Sequence, residues 1–258
     1  MATRWLFLRG LVRETRHWGE FPTRFSEALK ERVPTGAPLL LDLPGMGTER
    51  DRPVPPTVSG FVDDLRTRLE GERAADTRFA LFAVSLGGMV ALDWLSRFPD
   101  DFERAVIVNT SAGDLSSPFE RFHPRNYLSI ARALLSSGAE RERHILGFTA
   151  NSPALDRDAI AAQHASYAME RPMRTPVFVG QLRAAMKSRT PERLLVPALF
   201  LASRADRLVD CTCSERIAAK LEAPLRLHDS AGHDLPLDDP EWVIGQVASW
   251  MSAGEIAA

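Results

Sequence analysis

The chain has 258 residues, of which 45% are hydrophobic and 26% are charged, and these proportions exclude a disordered, collagen-like or coiled-coil protein. The length suits one large domain with a substantial core, and we take a single domain as the simplest interpretation. A formal net charge of −2 supplies no general positive field, so neither nucleic acid nor an anionic membrane is an expected partner. The two cysteines cannot form a disulfide framework, which favours a reducing compartment.

The first apolar run, residues 5–8, lies between two arginines and is too short for the hydrophobic region of a signal peptide. Every later apolar run is interrupted by Arg, Asp, Pro or Gly well before the roughly 18 residues that a membrane-spanning helix requires. We therefore predict a soluble, cytoplasmic protein.

Along the chain, short apolar runs that end in turn residues alternate with longer segments of helical periodicity. This alternation is typical of a parallel sheet covered by helices, because strands that are buried on both faces are almost wholly apolar. The predicted strands are residues 5–8, 39–43, 79–84, 105–108, 198–202 and 225–228. The predicted helices are residues 20–32, 58–70, 86–98, 214–221 and 241–252.

The alternation stops between residues 112 and 191, where no run resembles a buried strand. Prolines and a glycine divide this segment into several short helical stretches. Because a structureless loop of about 80 residues is uncommon in a compact domain, we predict a helical lid over the edge of the sheet. The predicted organisation is a core domain of residues 1–111 and 192–258, with the lid, residues 112–191, inserted in it.

A serine lies at the junction between the third predicted strand and the helix after it. Residues 83–87 read Ala-Val-Ser-Leu-Gly, which is the nucleophile-elbow pattern with alanine in place of its first glycine. Small residues are required two positions before and after the serine, because the sharp turn brings neighbouring backbone close to these positions. A serine that only caps the following helix is the alternative interpretation.

Three further segments accompany this serine. Residues 7–11, Phe-Leu-Arg-Gly-Leu, are similar to a strand with an oxyanion loop, and residues 41–47, Leu-Asp-Leu-Pro-Gly-Met-Gly, to an Asp-x-Pro-Gly-x-Gly turn. Residues 198–206 form an apolar run that leads to Asp206, and residues 231–234 read Ala-Gly-His-Asp. Together with the serine segment they resemble the α/β-hydrolase superfamily, in particular its lidded serine esterases, over nearly the whole chain.

The resemblance implies an α/β fold with a mostly parallel sheet of about six strands, flanked by helices and without the family's leading hairpin. It implies that Ser85 is the nucleophile, His233 the base and then the acid, and Asp206 the carboxylate that orients the histidine. The backbone N–H groups of Leu11 and Leu86 would form the oxyanion hole. The family usually has histidine where this chain has Arg9, which leaves open how the oxyanion loop is braced.

The position of the acid has an alternative. Some lidded hydrolases carry it after the strand that follows the elbow, but here that strand ends at Asn109, which cannot act as a carboxylate. Asp114, a few residues later, is the fallback. We favour Asp206 because it follows a strongly apolar strand by four residues, and we expect the nearby Asp210 and Asp229 to be solvated loop residues.

The predicted activity is hydrolysis of a carboxylic ester, a thioester or a lactone through an acyl-enzyme, with a small-molecule acyl ester as substrate and without a metal or cofactor. The alternative is a catalytically silent member of the fold that binds a ligand or a partner. Dehalogenases and epoxide hydrolases are disfavoured, because those relatives carry a carboxylate where Ser85 stands. For the pair Cys211 and Cys213 we favour packing at a strand end or helix start over a metal site or a strained disulfide.

Charge is unevenly distributed along the chain. Residues 112–191 contain ten Arg and one Lys against seven Asp and Glu, a net charge of +4, while the remaining residues carry −6. A basic lid could steer an anionic ester, or an acyl group on an acidic carrier protein, towards the pocket. The favoured alternative is a solvated surface whose arginines pair with local acids such as Glu140, Glu142 and Glu170.

Overall fold

The computed structural model describes residues 2–30, 32–74 and 77–256, and in these residues six strands form one sheet. The strands are β1 (Ala2–Leu8), β2 (Leu39–Leu40), β3 (Thr77–Val84), β4 (Arg104–Val108), β5 (Ala198–Ser203) and β6 (Leu225–His228). Their order across the sheet is β2-β1-β3-β4-β5-β6, and all neighbours are parallel. The predicted six-stranded α/β fold is confirmed, and no described strand precedes β1.

The apolar character of the strands follows from burial on both faces of the sheet. In β1 the side chains of Trp5 and Phe7 contribute to one hydrophobic cluster, while those of Leu6 and Leu8 contribute to a second cluster on the opposite face. Successive side chains of a strand point to opposite faces, so a strand with helices on both sides is apolar wherever both faces are covered, as in the second half of β1.

Besides four short 3-10 helices, eleven α-helices are found in the described residues. They are α1 (Phe21–Leu29), α2 (Val58–Glu70), α3 (Leu86–Arg97), α4 (Pro118–Arg121), α5 (Tyr127–Leu135), α6 (Gly138–Thr149), α7 (Arg157–Glu170), α8 (Thr175–Met186), α9 (Cys211–Lys220), α10 (Leu235–Asp238) and α11 (Pro240–Ile256). Helices α1 and α11 cover the face with Trp5 and Phe7, and α2, α3 and α9 cover the other face. None of these helices is long and apolar enough to cross a bilayer.

Most predicted elements differ from the structure by a few residues at their ends, and β1, for example, begins at Ala2 where the prediction began at residue 5. Two of the differences are explained by side-chain hydrogen bonds. The strand predicted over residues 39–43 pairs only at Leu39 and Leu40, because the chain then turns so that the Asp42 carboxylate can accept hydrogen bonds from the N–H groups of Thr15, at 2.6 Å, and Thr48, at 2.8 Å. Helix α9 begins three residues earlier than predicted, because the Asp210 side chain caps it by accepting from Thr212 N at 2.9 Å. Residue 31, inside the first predicted helix, lies outside the described residues.

Between β4 and β5 the chain forms five helices, α4 to α8, and no strand appears among residues 112–191, which we call the helical insertion. Its helices α5, α6 and α7 pack mainly on one another. The insertion meets the sheet domain above the carboxyl ends of the strands, where the loops after β1 and β3 also lie. This edge is where ligands bind in open parallel sheets.

Candidate active site

Ser85 is the single residue between β3 and α3, and its backbone has φ of 57° and ψ of −116°. A positive φ is strained for a residue with a Cβ atom, so surrounding contacts must hold it. Ser85 N donates to the Val108 carbonyl at 2.9 Å, and the Thr110 hydroxyl donates to the Ser85 carbonyl at 2.9 Å. The serine predicted at a strand-to-helix junction therefore occupies a constrained turn at the end of the strand.

Glycines allow two backbone segments to approach this turn. A Cβ atom at position 87 would lie 2.5 Å from the carbonyl oxygen of Leu8, at the end of β1. A Cβ atom at position 10 would lie 3.0 Å from Cβ of Ser85. The small residue that the pattern requires after the serine is thus explained by contact with the loop that follows β1.

His233 lies in the loop after β6, and its Nδ1 is 2.6 Å from Oδ2 of Asp206. The other Asp206 oxygen accepts hydrogen bonds from Leu208 N at 2.7 Å and Val209 N at 3.0 Å, so the carboxylate is held on both sides. Nε2 of His233 is buried and has no hydrogen-bond partner among the described residues. His233 and Ser85 line the same cavity.

The other candidate acids contact different groups. Asp114 accepts hydrogen bonds from Thr190 N at 2.9 Å and from the Thr190 hydroxyl at 3.2 Å. Asp210 caps α9, and Asp229 is an exposed residue 3.4 Å from Arg204. The fallback acid and the two neighbouring aspartates therefore make contacts that do not involve His233.

Asn109 fixes the histidine loop. Its side-chain amide donates to the His233 carbonyl at 2.8 Å, and its side-chain oxygen accepts from Ser203 N at 2.9 Å. Asn109 is buried and has a φ of 45°, a conformation that asparagine tolerates better than most residues. Asn109, which cannot act as the catalytic carboxylate, thus links the ends of β4 and β5 to the loop that carries His233.

The two predicted oxyanion donors belong to the residues that follow Ser85 and Gly10 in the chain. Leu86 N is at the N-terminal end of α3, where the helix dipole favours negative charge. Leu11 follows Gly10, the residue that packs against Ser85, and lines the cavity. Neither N–H group donates a hydrogen bond to any part of the chain that the structure describes.

Arg9 forms a buried ion pair with Asp234, the residue after the histidine. The guanidinium donates to both carboxylate oxygens, at 3.1 and 2.6 Å, and lies 4.6 Å from the centre of the Trp18 ring. Burial is the largest single influence and would raise the pKa of Asp234. The Arg9 charge, the hydrogen bonds from Arg9 and smaller contributions such as the Arg13 charge together outweigh burial and lower this pKa below its usual value. This pair holds the predicted oxyanion loop in the position where the resemblance led us to expect a histidine, and sequence reasoning did not find it.

A second contact to the oxyanion loop comes from the helical insertion. Val12 has a φ of 51°, which is a strained conformation for a β-branched residue. Its N–H donates at 2.9 Å to the side-chain oxygen of Gln181, a fully buried residue of α8. In the sequence, the only indication of this contact is that a glutamine lies in a helix whose other buried residues are apolar or small.

The cavity has a volume of about 200 Å³ and lies between the sheet domain and the helical insertion. The sheet domain contributes Ser85, His233 and the loop after β1. The insertion contributes mostly apolar side chains, among them Phe122, Ile130, Leu134, Ile145, Phe148, Met173 and Phe178. A mainly apolar cavity with a few polar groups is typical of a small-molecule site.

One group of possible metal ligands lies beside this cavity, formed by His17, Glu142 and His164, whose ligand atoms are all within 4.8 Å of one another. Burial and the Arg13 guanidinium lower the pKa of His17 well below its usual value and that of His164 to about 4. The Glu142 carboxylate is paired with Arg13 at 2.7 Å. The arginine disfavours a cation here, so the geometry of the cluster alone does not indicate a metal site.

The parallel sheet and the serine turn define an α/β protein of the hydrolase type. The chain belongs to the alpha/beta hydrolase family, whose sequence profile matches residues 5–246. This membership confirms the resemblance that the sequence motifs indicated. A search of curated proteins finds no match for the sequence.

Solved structures share the fold at low sequence identity. Rv0554 from Mycobacterium tuberculosis has a TM-score of 0.73 and 17% identity, covering 98% of this chain and 91% of its own. MGS-M2, an alpha/beta hydrolase enzyme from a Medee basin deep-sea metagenome library, has a TM-score of 0.72 and 18% identity, with 97% and 89% coverage. The esterase RhEst1 from Rhodococcus sp. ECU1013 has a TM-score of 0.71 and 19% identity, with 97% and 90% coverage.

Proposed function

We propose that this chain is a serine hydrolase that cleaves a carboxylic ester, a thioester or a lactone through an acyl-enzyme. The observation that carries the proposal is the 2.6 Å contact of Asp206 with His233 Nδ1, which leaves the buried Nε2 without a partner on the wall of the cavity that Ser85 also lines. A histidine with one nitrogen held by a carboxylate and the other free can act as a general base. Membership of the hydrolase family and the esterase among the structural neighbours support the same activity.

In the acylation half of the reaction, Ser85 Oγ attacks the carbonyl carbon of the ester while its proton passes to His233 Nε2. Asp206 stabilises the imidazolium that forms. The negative charge on the former carbonyl oxygen is stabilised by the N–H groups of Leu11 and Leu86. When the tetrahedral intermediate collapses, the bond to the alcohol oxygen breaks and His233 returns the proton to that oxygen.

In the deacylation half, a water molecule attacks the acyl-enzyme and His233 Nε2 takes its proton. The second tetrahedral intermediate uses the same two N–H groups. Its collapse breaks the bond to Ser85 Oγ, which recovers its proton from His233, and the carboxylic acid leaves. We also propose that the helical insertion is the lid of this site, because its apolar side chains form one wall of the cavity.

A fluorophosphonate probe tests the proposal directly, because only an activated serine reacts with it. Wild-type protein should be labelled at one site, identified as Ser85 by peptide mass spectrometry, and should hydrolyse short p-nitrophenyl esters. Ser85→Ala should abolish both signals, whereas the matched control Ser166→Ala, an exposed serine in α7, should keep them. Absence of labelling and of turnover in folded wild-type protein would instead indicate a silent ligand-binding member of the fold.

A further inference from the structure

Three arginines line the cavity that contains Ser85, and two of them are neutralised by carboxylates. Arg9 is paired with Asp234 and Arg13 with Glu142, in both cases through short hydrogen-bonded ion pairs. The third, Arg141, uses only its Nε, which donates to the backbone carbonyls of Ala133 at 3.2 Å and Ser136 at 3.0 Å. No carboxylate of the described residues forms an ion pair with Arg141, so the cavity wall carries one uncompensated positive charge.

The surroundings of Arg141 in α6 explain why it has no counter-ion. The residues three and four positions away, which share its side of the helix, are Ser137, Gly138, His144 and Ile145, and none is acidic. Its neighbour Arg143, on another side of the same helix, is exposed and pairs with Asp158 at 2.6 Å. The unpaired charge therefore belongs to the side of α6 that faces the cavity, which also presents Ile145 and Phe148.

The helix also sets the separation between Arg141 and the catalytic residues. The carbonyl of Thr149, at the end of α6, accepts a hydrogen bond from Asp234 N at 2.8 Å, which fixes this end beside the loop of His233. Arg141 precedes Thr149 by eight residues, or about 12 Å along the helix axis. Ile145 and Phe148 lie between them on the cavity wall, so a ligand that reaches both ends must have an apolar middle.

We propose that the site takes esters that carry an anionic group, such as a carboxylate, separated from the reacting ester by an apolar spacer, and that Arg141 binds the anionic group. This inference rests on the proposed serine hydrolase activity and names its substrate class. A guanidinium can bind a carboxylate through two parallel hydrogen bonds, and in a cavity that excludes water such a charged contact is stronger than at an exposed surface. Arg141 is then a specificity residue that acts on binding, remote from the reacting atoms.

The experiment compares esters that differ only in charge at the remote end. The monomethyl ester of suberic acid carries a carboxylate, and the corresponding ester with a terminal primary carboxamide is its neutral isostere. Wild-type protein should show a kcat/KM at least about tenfold higher for the carboxylate, since hydrogen bonds to charged groups are the strong ones. A parallel pair, the acetate esters of 6-hydroxyhexanoate and of its amide, determines whether the anion belongs to the acyl or to the alcohol part.

The variants separate direct binding from long-range steering. Arg141→Met should reduce the ratio of the two kcat/KM values to near one, mainly through a higher KM for the anionic ester. Arg143→Met removes the same charge from the same helix and should keep the wild-type ratio. Arg141→Lys retains the charge and should keep part of the preference, and Arg141→Gln provides a neutral variant that can still donate to the α5 carbonyls if the methionine variant does not fold.

The possible outcomes distinguish the two proposals. If folded wild-type protein reacts with neither the esters nor the fluorophosphonate probe, the proposed hydrolase function is wrong. If wild-type protein hydrolyses the carboxylate and carboxamide esters equally in both pairs, the hydrolase function stands and the anionic-substrate inference is wrong. If Arg143→Met lowers the ratio as much as Arg141→Met, general steering by the positive insertion replaces specific binding at Arg141.

Discussion

The sheet domain and the helical insertion differ in how completely they bury their apolar side chains. Ten large apolar side chains are exposed among the described residues, and eight lie in the insertion: Phe119, Tyr127, Leu128, Leu134, Leu135, Met169, Val179 and Met186. The inner strands of the sheet, by contrast, are buried almost throughout. Low burial is a property of segments that open locally at low cost in free energy. The difference indicates that the sheet domain, which carries the proposed reacting groups, is the more tightly packed region, while the more loosely packed insertion forms the apolar wall of the cavity.

The two regions are nevertheless joined by polar contacts close to the candidate site. Arg13 pairs with Glu142 of α6, Val12 N donates to Gln181 of α8, and Asp234 N donates to the Thr149 carbonyl. The acids of the insertion thus pair partly with the sheet domain, since Glu170 also binds Arg16, and not only with local arginines as the sequence analysis expected. The experiments below test whether chemistry and selectivity divide between the two regions.

The largest effect should come from the reacting groups on the sheet domain. Ser85→Ala should lower kcat by about 10⁴ to 10⁶, and His233→Ala by a similar factor, because either change removes activated nucleophilic attack. The double variant should be no worse than the single ones, since the two residues act as a unit. Steady-state kinetics on a neutral ester measure this, and losses that multiply in the double variant would contradict the shared mechanism.

The next largest effect distinguishes Asp206 from Asp114 as the acid that orients His233. Asp206→Asn should lower kcat by up to about 10⁴ with little change in folding, because the histidine loses the carboxylate that selects its tautomer. Asp114→Asn, which alters a contact with Thr190 outside the site, is the control and should keep most activity. A severe loss in Asp114→Asn together with a mild loss in Asp206→Asn would reverse the assignment of the acid.

The ion pair between Arg9, in the loop after β1, and Asp234 should matter for stability. Arg9→Met should reduce the free energy of unfolding by about 3–5 kcal/mol, because it leaves the Asp234 carboxylate buried without its partner. The double variant Arg9→Met with Asp234→Asn should recover part of this loss. Urea unfolding at pH 7 measures both variants. A double variant less stable than Arg9→Met would show that the loss does not come from an unpaired buried carboxylate.

A contact across the two regions should have an intermediate effect on catalysis. Gln181→Met removes the acceptor for Val12 N, so the oxyanion loop loses a support, and kcat should fall by about 10- to 100-fold with a smaller change in KM. Gln163→Met, at an exposed position of α7, is the matched control and should behave as wild type. An increase in KM alone would assign Gln181 to ligand binding and remove its positioning role.

The smallest effect concerns the pH dependence of stability. Because the pKa of His164 is about 4 in the folded protein and about 6.5 when unfolded, the unfolded chain binds a proton that the folded protein rejects between these values. The contribution of His164 is fully present well above pH 6.5 and is lost as the pH falls towards 4, by on the order of 3 kcal/mol in total. Between pH 7 and 5, the free energy of unfolding measured in urea should therefore fall less for His164→Asn than for wild type. The control His144→Asn should lose as much stability as wild type over the same range.

Local patterns in the sequence were sufficient for the sheet domain. Mostly apolar runs predicted all six strands, because a strand buried on both faces is apolar along most of its length. The edge strand β6 is less buried and also contains Arg226 and His228. The junction at Ser85 could also be predicted from the sequence. The tight turn requires small side chains at residues 83 and 87, and both positions lie within two residues of the serine. The order of Ser85, Asp206 and His233 along the chain followed from the family resemblance, and their roles in catalysis stay predictions for the kinetics above.

The tertiary structure alone decided which distant groups meet. Arg9 and Asp234 are separated by 225 residues, and Val12 and Gln181 by 169, so no local pattern relates the partners. The sequence showed an excess of positive charge in residues 112–191. It did not show that Arg141, unlike the other arginines of the cavity, forms no ion pair with a carboxylate of the described residues. Charge count is a property of composition, whereas compensation of a charge depends on distances that exist only after the chain has folded.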